Sequence, residues 1–310
     1  MSFDRRTALA GLAATVVPFN RLWGASGTKG RTRLILLGTA GGPRPWKKRS
    51  APAQAIVVGG DIYVIDCGYG VARQMVLAGL PLKQLRNIFI THHHSDHDID
   101  LGALVDIAWT SGLTTPVDCW GPPPIKQMIV DYLHYQSADI ATRIANEGKP
   151  PLRPLIRAHE FTRGGRVMTD EHVRVTSAMV LHPPIKLAFA YRFDTPDRSI
   201  VISGDTRPVE SLIHLARNAD VLVHEAMLPN RVSESVRALP NREALARSII
   251  SHHTSAEQAG QVAAAAGVKM LVLSHLIPAE DPDVPDAEWL AAARRHYAGP
   301  IIIGRDFMEI

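Results

Sequence analysis

The stretch Ile90-Thr91-His92-His93-His94-Ser95-Asp96-His97 constrains this chain more than any other part of it. An apolar run stops there, and five groups able to bind a metal, at positions 92, 93, 94, 96 and 97, follow within six positions. A loop leaving a buried strand can aim imidazoles at i and i+2 toward one ion, and a carboxylate and an imidazole at i+4 and i+5 toward a neighbouring one. Neutral imidazole and carboxylate suit Zn²⁺. Three more candidate ligands stand at the ends of other apolar runs: His182 after SAMVL, Asp205 after VISG and His275 after LVLS. In α/β folds ligand sites gather at the carboxyl ends of strands, so residues sharing that placement are expected to converge. Cys67 and Cys119 are the only cysteines, too few for a disulfide framework or a thiolate zinc site, and each reads as a small buried apolar residue.

The rest of the chain reads as an α/β fold. Val/Ile/Leu-rich runs of strand length recur from Arg33 onward: RLILLGT, AIVVGGDIYVID with a Gly59-Gly60-Asp61 hairpin turn, NIFIT, VRVTSAMVLH, SIVISGD, VLVHEA, MLVLSH and IIIGRD. Helical stretches over 71–78, 103–110, 124–135, 211–218, 255–266 and 286–297 alternate with them. No Gly/Ser/Pro-rich linker interrupts the pattern, so 27–310 reads as one domain, with 132–162 expected to be an insertion that covers the active site. The chain has 310 residues and 46% of them are hydrophobic, enough for a sizeable core. Its net charge of +4 is spread among both signs, which gives only a mild preference for anionic substrates. No apolar stretch reaches the roughly 20 residues of a membrane-spanning helix. Residues 1–26 read as an export signal: Arg5-Arg6, then the apolar segment Ala8 to Val17, then the small residues Gly24-Ala25-Ser26, an order like that of the twin-arginine route. A periplasmic or secreted location is expected.

These motifs resemble those of the metallo-β-lactamase superfamily. Its H-x-H-x-D-H signature is present as His92, His94, Asp96 and His97, and LLGTAGG, VIDCGYG and SGDT resemble its glycine turns and its bridging-aspartate strand end. VLVHEAM, HHTSAEQAGQVAAAAGV and VLSHL resemble the ribonuclease Z-like branch, and THHHSDHDIDLGAL followed by AWTSGLTTPVDCWGPPP resembles its arylsulfatase-like group. The resemblance implies a four-layer αββα sandwich holding two divalent ions, zinc first, with Mn²⁺ or Fe²⁺ as alternatives. His92, His94 and His182 are then the ligands of the first metal, Asp96, His97 and His275 those of the second, and Asp205 bridges them. Water ionised on the metals is the implied nucleophile, with Asp96 in the catalytic set. Glu225 and His253 match a carboxylate–histidine pair that would protonate the leaving oxygen. A supporting or helix-capping role beside Thr254-Ser255 is the alternative, and which of His224, His252 and His253 points inward stays open. His93 is expected to point away from the metals, and Asp98 and Asp100 to steady the ligand imidazoles. The charged loop 44–49 is a candidate for attracting a sulfate or phosphate ester.

The expected reaction is hydrolysis of an ester-type bond in an anionic small molecule, arylsulfatase-like. Ribonuclease Z-type phosphodiester cleavage and lactonase-type hydrolysis are the alternatives. Nucleic acid is weighed against as a partner, because no Gly- and Lys-rich RNA-gripping arm is found, and a homodimer is left open. A catalytically silent scaffold is disfavoured because all seven ligand positions are filled.

Overall fold

Short β-branched and aromatic runs pair here into two sheets, each too apolar on one face to stand in water alone. The computed structural model describes residues 31–281 and 283–310, so the export-signal reading of 1–26 lies outside the described residues. The first sheet holds β1 (Arg33–Gly38), β2 (Ala53–Val58), β3 (Asp61–Ile65), β4 (Leu85–Phe89), β5 (Val117–Gly121) and β6 (Ile156–Glu160), in that order. It is antiparallel from β1 to β3 and parallel from β3 to β6. The second holds β7 (Gly165–Thr169), β8 (Arg174–His182), β9 (Ile185–Asp194), β10 (Ser199–Ile202), β11 (Val221–Met227), β12 (Leu271–Ile277) and β13 (Ile301–Ile303), in the spatial order 13-12-11-10-9-8-7. Its strands β10 to β13 are parallel, and β7 to β10 antiparallel.

The sheets face each other across a core of Leu34, Leu36, Ile56, Phe89, Phe189, Tyr191, Phe193 and Val272. Phe89 sits edge-on to Phe193 at 5.1 Å and to Tyr191 at 5.5 Å, and the Tyr191 hydroxyl donates to the Ile90 carbonyl at 2.7 Å. That bond fixes the start of the histidine loop against the opposite sheet. Helices α1 (Val71–Leu77), α2 (Ser95–Asp98), α3 (Leu101–Thr110), α4 (Ile125–Tyr135) and α5 (Ser137–Glu147) follow strands of the first sheet; α6 (Glu210–Ala216), α7 (Pro229–Ser235), α8 (Arg242–His252), α9 (Ala256–Ala266) and α10 (Asp286–Arg294) follow strands of the second. Residues of α1, α3 and α4 build one outer core and those of α6, α9 and α10 the other. The layers are therefore helix, sheet, sheet and helix, as expected. Ser255 caps α9 through a reciprocal bond with Gln258, and Gly267 closes it in the left-handed conformation.

Four strands escaped the reading of apolar runs. β6 and β7 are the outer strands of their sheets and carry Arg157, His159 and Arg166 toward solvent, the charged character that edge strands need. β5 alternates buried with half-buried residues, and the apolar centre of β9, Leu187 to Tyr191, is short of β-branched residues, with Ala188 and Ala190 alternating with larger side chains. The expected insertion at 132–162 is corrected in the same way. It supplies the end of α4, then α5, whose Ile140 and Ile144 pack on the outer core, and then the edge strand β6. None of its residues lines the cavity at the histidine cluster; 235–253, around α7 and α8, does.

Gly204 ends β10 with φ +59°, and a Cβ there would lie 2.9 Å from the Thr91 Cβ and 3.0 Å from the Phe189 carbonyl oxygen. Both neighbours belong to the two segments that meet at the site. Gly204→Ala should therefore lower the stability of the metal-free protein by about 1–3 kcal/mol in urea unfolding. An unchanged midpoint would contradict this.

Candidate metal centre

The histidine loop is held from below by Asp66, at the end of β3. Its carboxylate accepts from the Thr91 amide at 2.8 Å and the Thr91 hydroxyl at 3.0 Å, and lies 2.8 Å from His97 Nδ1. Asp66 and His275 both have positive φ, 62° and 46°, a strained conformation that persists only where the surroundings over-determine it. The loop then turns into α2, which carries Asp96 and His97 on its first turn.

All seven expected ligands meet at one place, six of them buried and His94 half-buried. In one trio, His94 Nδ1 lies 3.0 Å from His92 Nε2 and 3.2 Å from His182 Nε2. In the other, Asp96 Oδ2 lies 3.5 Å from His97 Nε2 and 3.4 Å from His275 Nε2. Asp205 stands between them. Its Oδ2 is 3.9 Å from His92 Nε2, 3.8 Å from His182 Nε2 and 3.2 Å from His275 Nε2, and its Oδ1 is 3.4 Å from His97 Nε2.

This donor set fits a pair of divalent ions. Donors around a tetrahedral zinc at about 2.0–2.1 Å stand about 3.3 Å apart, the spacing found within both trios. His97 Nε2 and Asp205 Oδ1 are buried and have no hydrogen-bond partner, a costly state for polar atoms that a cation would relieve. Burial, with other histidines crowding them, pushes His92 well below its ordinary value and His182 down to about 4, which keeps those imidazoles neutral and their lone pairs free. Burial opposes charge on Asp96 and Asp205 too, yet the surrounding imidazoles hold both carboxyls well below the usual range. Burial likewise opposes charge on His97, but Asp205, Asp66 and Asp96 outweigh it and raise its pKa well above the ordinary value. Positive charge is thus favoured between the two trios.

Beside the cluster, His253 Nδ1 lies 2.8 Å from Glu225 Oε2, and Glu225 Oε1 accepts from the Thr206 amide at 2.5 Å. The donor atoms of this pair also lie within 4.8 Å of Asp205 and His275. Their mutual bond occupies the atoms a further ion would need, so a proton-carrying pair is the better reading. Burial lowers the pKa of His253, but the charge and hydrogen bond of Glu225 outweigh it and raise the value to about 9. Of His224, His252 and His253, it is His253 whose ring reaches the donor cluster, 3.9 Å from Asp205 Oδ2, while His252 lines the cavity farther along α8. His252 contributes its carbonyl, which accepts from His182 Nδ1 at 3.2 Å, and His224 is buried with Nδ1 donating to the Glu225 carbonyl. The capping role falls to Ser255 instead.

Three supporting expectations change. His93 does point away from the cluster, held by Asp98 at 2.8 Å and the Pro122 carbonyl at 2.8 Å. Asp98 therefore steadies His93 rather than a ligand, and Asp100 accepts from the Gly70 amide at 2.6 Å. The carboxylate behind His97 is Asp66, which sequence reasoning passed over although it directly precedes Cys67-Gly68 in a glycine turn. The charged loop divides. Arg44 and Trp46 line the cavity, with the guanidinium 5.1 Å from the indole centroid. Arg49 turns inward to Thr39 Oγ1 and the Gly304 carbonyl, both at 2.6 Å, and Lys47 and Lys48 border a separate groove.

Residues 62–276 match the β-lactamase superfamily domain. A ribonuclease Z of Mycobacterium sp. (strain KMS) is 34% identical over 280 residues, spanning 89% of this chain and 95% of the relative. In fold the chain is similar to the short form of human tRNase Z, with a TM-score of 0.65 at 21% identity over 90% of this chain and 98% of that one. It is also similar to the metallo-β-lactamase fold protein YhfI of Bacillus subtilis, with a TM-score of 0.66 at 18% identity over 90% and 98% of the two chains. Relatives named ribonuclease Z, at 30–34% identity, support the ribonuclease Z-like branch of the resemblance. The chain belongs to the metallo-β-lactamase superfamily, as a metal-dependent hydrolase with ribonuclease Z homologues.

Proposed function

We propose that this chain hydrolyses a phosphodiester, by ribonuclease Z-type chemistry, on a pair of divalent ions of which zinc is the first choice. The observation that carries this is the convergence of seven His and Asp donors beside the Glu225–His253 pair, in a chain 34% identical to a ribonuclease Z over 280 residues. His92, His94 and His182 would hold one ion, Asp96, His97 and His275 the other, and Asp205 would touch both. A nitrogen and oxygen donor set also admits Mn²⁺ or Fe²⁺. Ions in such a pair lower the pKa of a shared water and offset the charge that develops on the ester oxygens. Asp66 and the His252 carbonyl fix the ring orientations of His97 and His182. His253, held through Nδ1 by Glu225 at 2.8 Å, is placed to give a proton to the leaving oxygen.

A second reading is favoured by the cavity itself. Its volume is about 530 Å³ and Leu239, Leu245, Ile249 and Ile277 are in its wall, the size and character of a small-molecule site. It suits a compact anionic ester, arylsulfatase-like, or a lactone. Residues 1–26 support the same reading: a twin-arginine-type signal would carry a folded enzyme out of the cytoplasm, away from precursor tRNA. Cell fractionation tests this: the unaltered protein should leave the cytoplasm and the form with Lys in place of Arg5 and Arg6 should stay in it, and both forms remaining wholly cytoplasmic would refute it.

Elemental analysis should give close to two metal equivalents for the unaltered protein. Asp205→Ala should lose metal together with turnover. Asp66→Asn should weaken metal binding by about 10–100-fold, because His97 loses its partner. His253→Ala should keep both ions and lose about 10²–10⁴-fold in rate. Metal retained in full by Asp205→Ala, or shed by His253→Ala, would contradict these roles.

The substrate is tested by initial rates of metal-loaded protein on a precursor tRNA, an aryl phosphodiester, an aryl sulfate and a lactone. Phosphodiester cleavage at least about tenfold faster than the other two small esters is expected, on the ground that a site discriminates by what it pairs with in the transition state. Sulfate or lactone turnover exceeding both phosphodiesters would replace the first reading with the second.

A further inference from the structure

We propose that Leu245 and Ile249 form the wall against which the leaving group of the ester packs, favouring one with a flat apolar ring face. This rests on the anionic-ester chemistry of the reading above. Leu245, Ser248, Ile249 and His252 stand at i, i+3, i+4 and i+7 along α8, and all four line the cavity. A helix normally buries such a stripe in a core. Here α8 packs its stripe on a small cluster of Met227, Val232, Val236 and Ile277, yet only Ala246 is fully buried, and Leu245 and Ile249 remain half-buried at the border of the cavity. Trp46, Pro184 and Ile277 line the same space.

The cavity therefore has two chemistries. One end is the His and Asp cluster, and Arg44 is the one Lys or Arg among its described lining residues. The wall from 235–253 is mainly apolar, with Leu239, Leu245 and Ile249 beside Ser235, Asn241 and Ser248. A ligand that fills both has an anionic head and a body that offers an apolar face to Leu245 and Ile249. The side on which that body sits follows from α8. Its last residue gives the His252 carbonyl to His182 Nδ1 at 3.2 Å, and the next is His253, paired with Glu225 at 2.8 Å. The apolar wall and the group that protonates the leaving oxygen are thus carried by one helix, which places the wall on the leaving-group side.

Calorimetric titration of the zinc-loaded, full-length chain separates this inference from turnover. The probes are phenylphosphonate against methylphosphonate, and benzenesulfonate against methanesulfonate; the two pairs distinguish a phosphorus from a sulfur head. The phenyl member of the preferred pair should bind at least about tenfold tighter than the methyl member, the scale of discrimination in an apolar pocket. Leu245→Ser and Ile249→Ser should each bring that ratio toward one, while Leu245→Trp, which fills the space, should weaken phenyl binding and leave methyl binding within about twofold. Circular dichroism identifies any variant that fails to fold, and the remaining variants then decide. Equal affinity for phenyl and methyl probes, no binding of either, or a ratio unmoved in every folded variant would overturn the inference. Selective binding of the ring without hydrolysis of any ester would instead refute the function proposed above and leave the subsite standing.

Discussion

The structure turns on Asp205, a carboxylate 3% exposed that faces imidazoles from three segments. Ionised groups are rarely tolerated at such depth unless paired, since the desolvation cost is several kcal/mol or more. Five imidazoles and a second buried carboxylate, Asp96, surround it, and the balance of opposite charges keeps both acids ionised. Much of the neighbouring backbone is committed to this arrangement. Gly204 takes a left-handed φ so that β10 can end against Thr91 and Phe189, and His275 and Asp66 take positive φ to reach inward. A site that stores this much local strain is over-determined by packing on both sheets.

What the sequence made legible, and what it did not, follows from where each residue gets its constraint. His92, His94, Asp96 and His97 lie in one short loop, and His182, Asp205 and His275 sit one step past apolar runs, so local pattern was enough to find all seven. The α/β character was legible for a similar reason, because strands buried on both faces read as continuous apolar runs, whereas the two-sheet sandwich was implied by the family resemblance. Asp66 was passed over because its function is set by a contact to His97 31 positions away, and nothing in VIDCG distinguishes it from an ordinary turn residue. Asp98 and Asp100 were assigned to the ligands by proximity in sequence, but α2 turns their carboxylates toward His93 and the Gly70 amide. The covering segment was misplaced for a related reason. A lack of strand runs and a proline-rich tail singled out 132–162, whereas α8 carries only a sparse apolar stripe whose meaning depends on the cavity beside it.

The same cavity joins chemistry to specificity. Metals of this kind activate water for many esters, and the walls decide which ester is held. In this chain those walls come from four places: Arg44 and Trp46 after the first glycine turn, Pro183-Pro184 after β8, α7 with α8 after β11, and Ile277 to Ala279 at the end of β12. Each adjoins a strand end that also supplies, or lies beside, a residue of the cluster. Changes in these loops could therefore alter the substrate without moving the seven donors.

The central claim is that His92, His94, His182, Asp96, His97, His275 and Asp205 form one paired metal site. X-ray absorption spectroscopy of the zinc-loaded protein tests it most directly. The account predicts only nitrogen and oxygen neighbours at about 2.0–2.2 Å, together with a metal–metal vector of about 3.5–4 Å that disappears in Asp205→Ala. Sulfur neighbours, or isolated metal with no such vector at full loading, would contradict it.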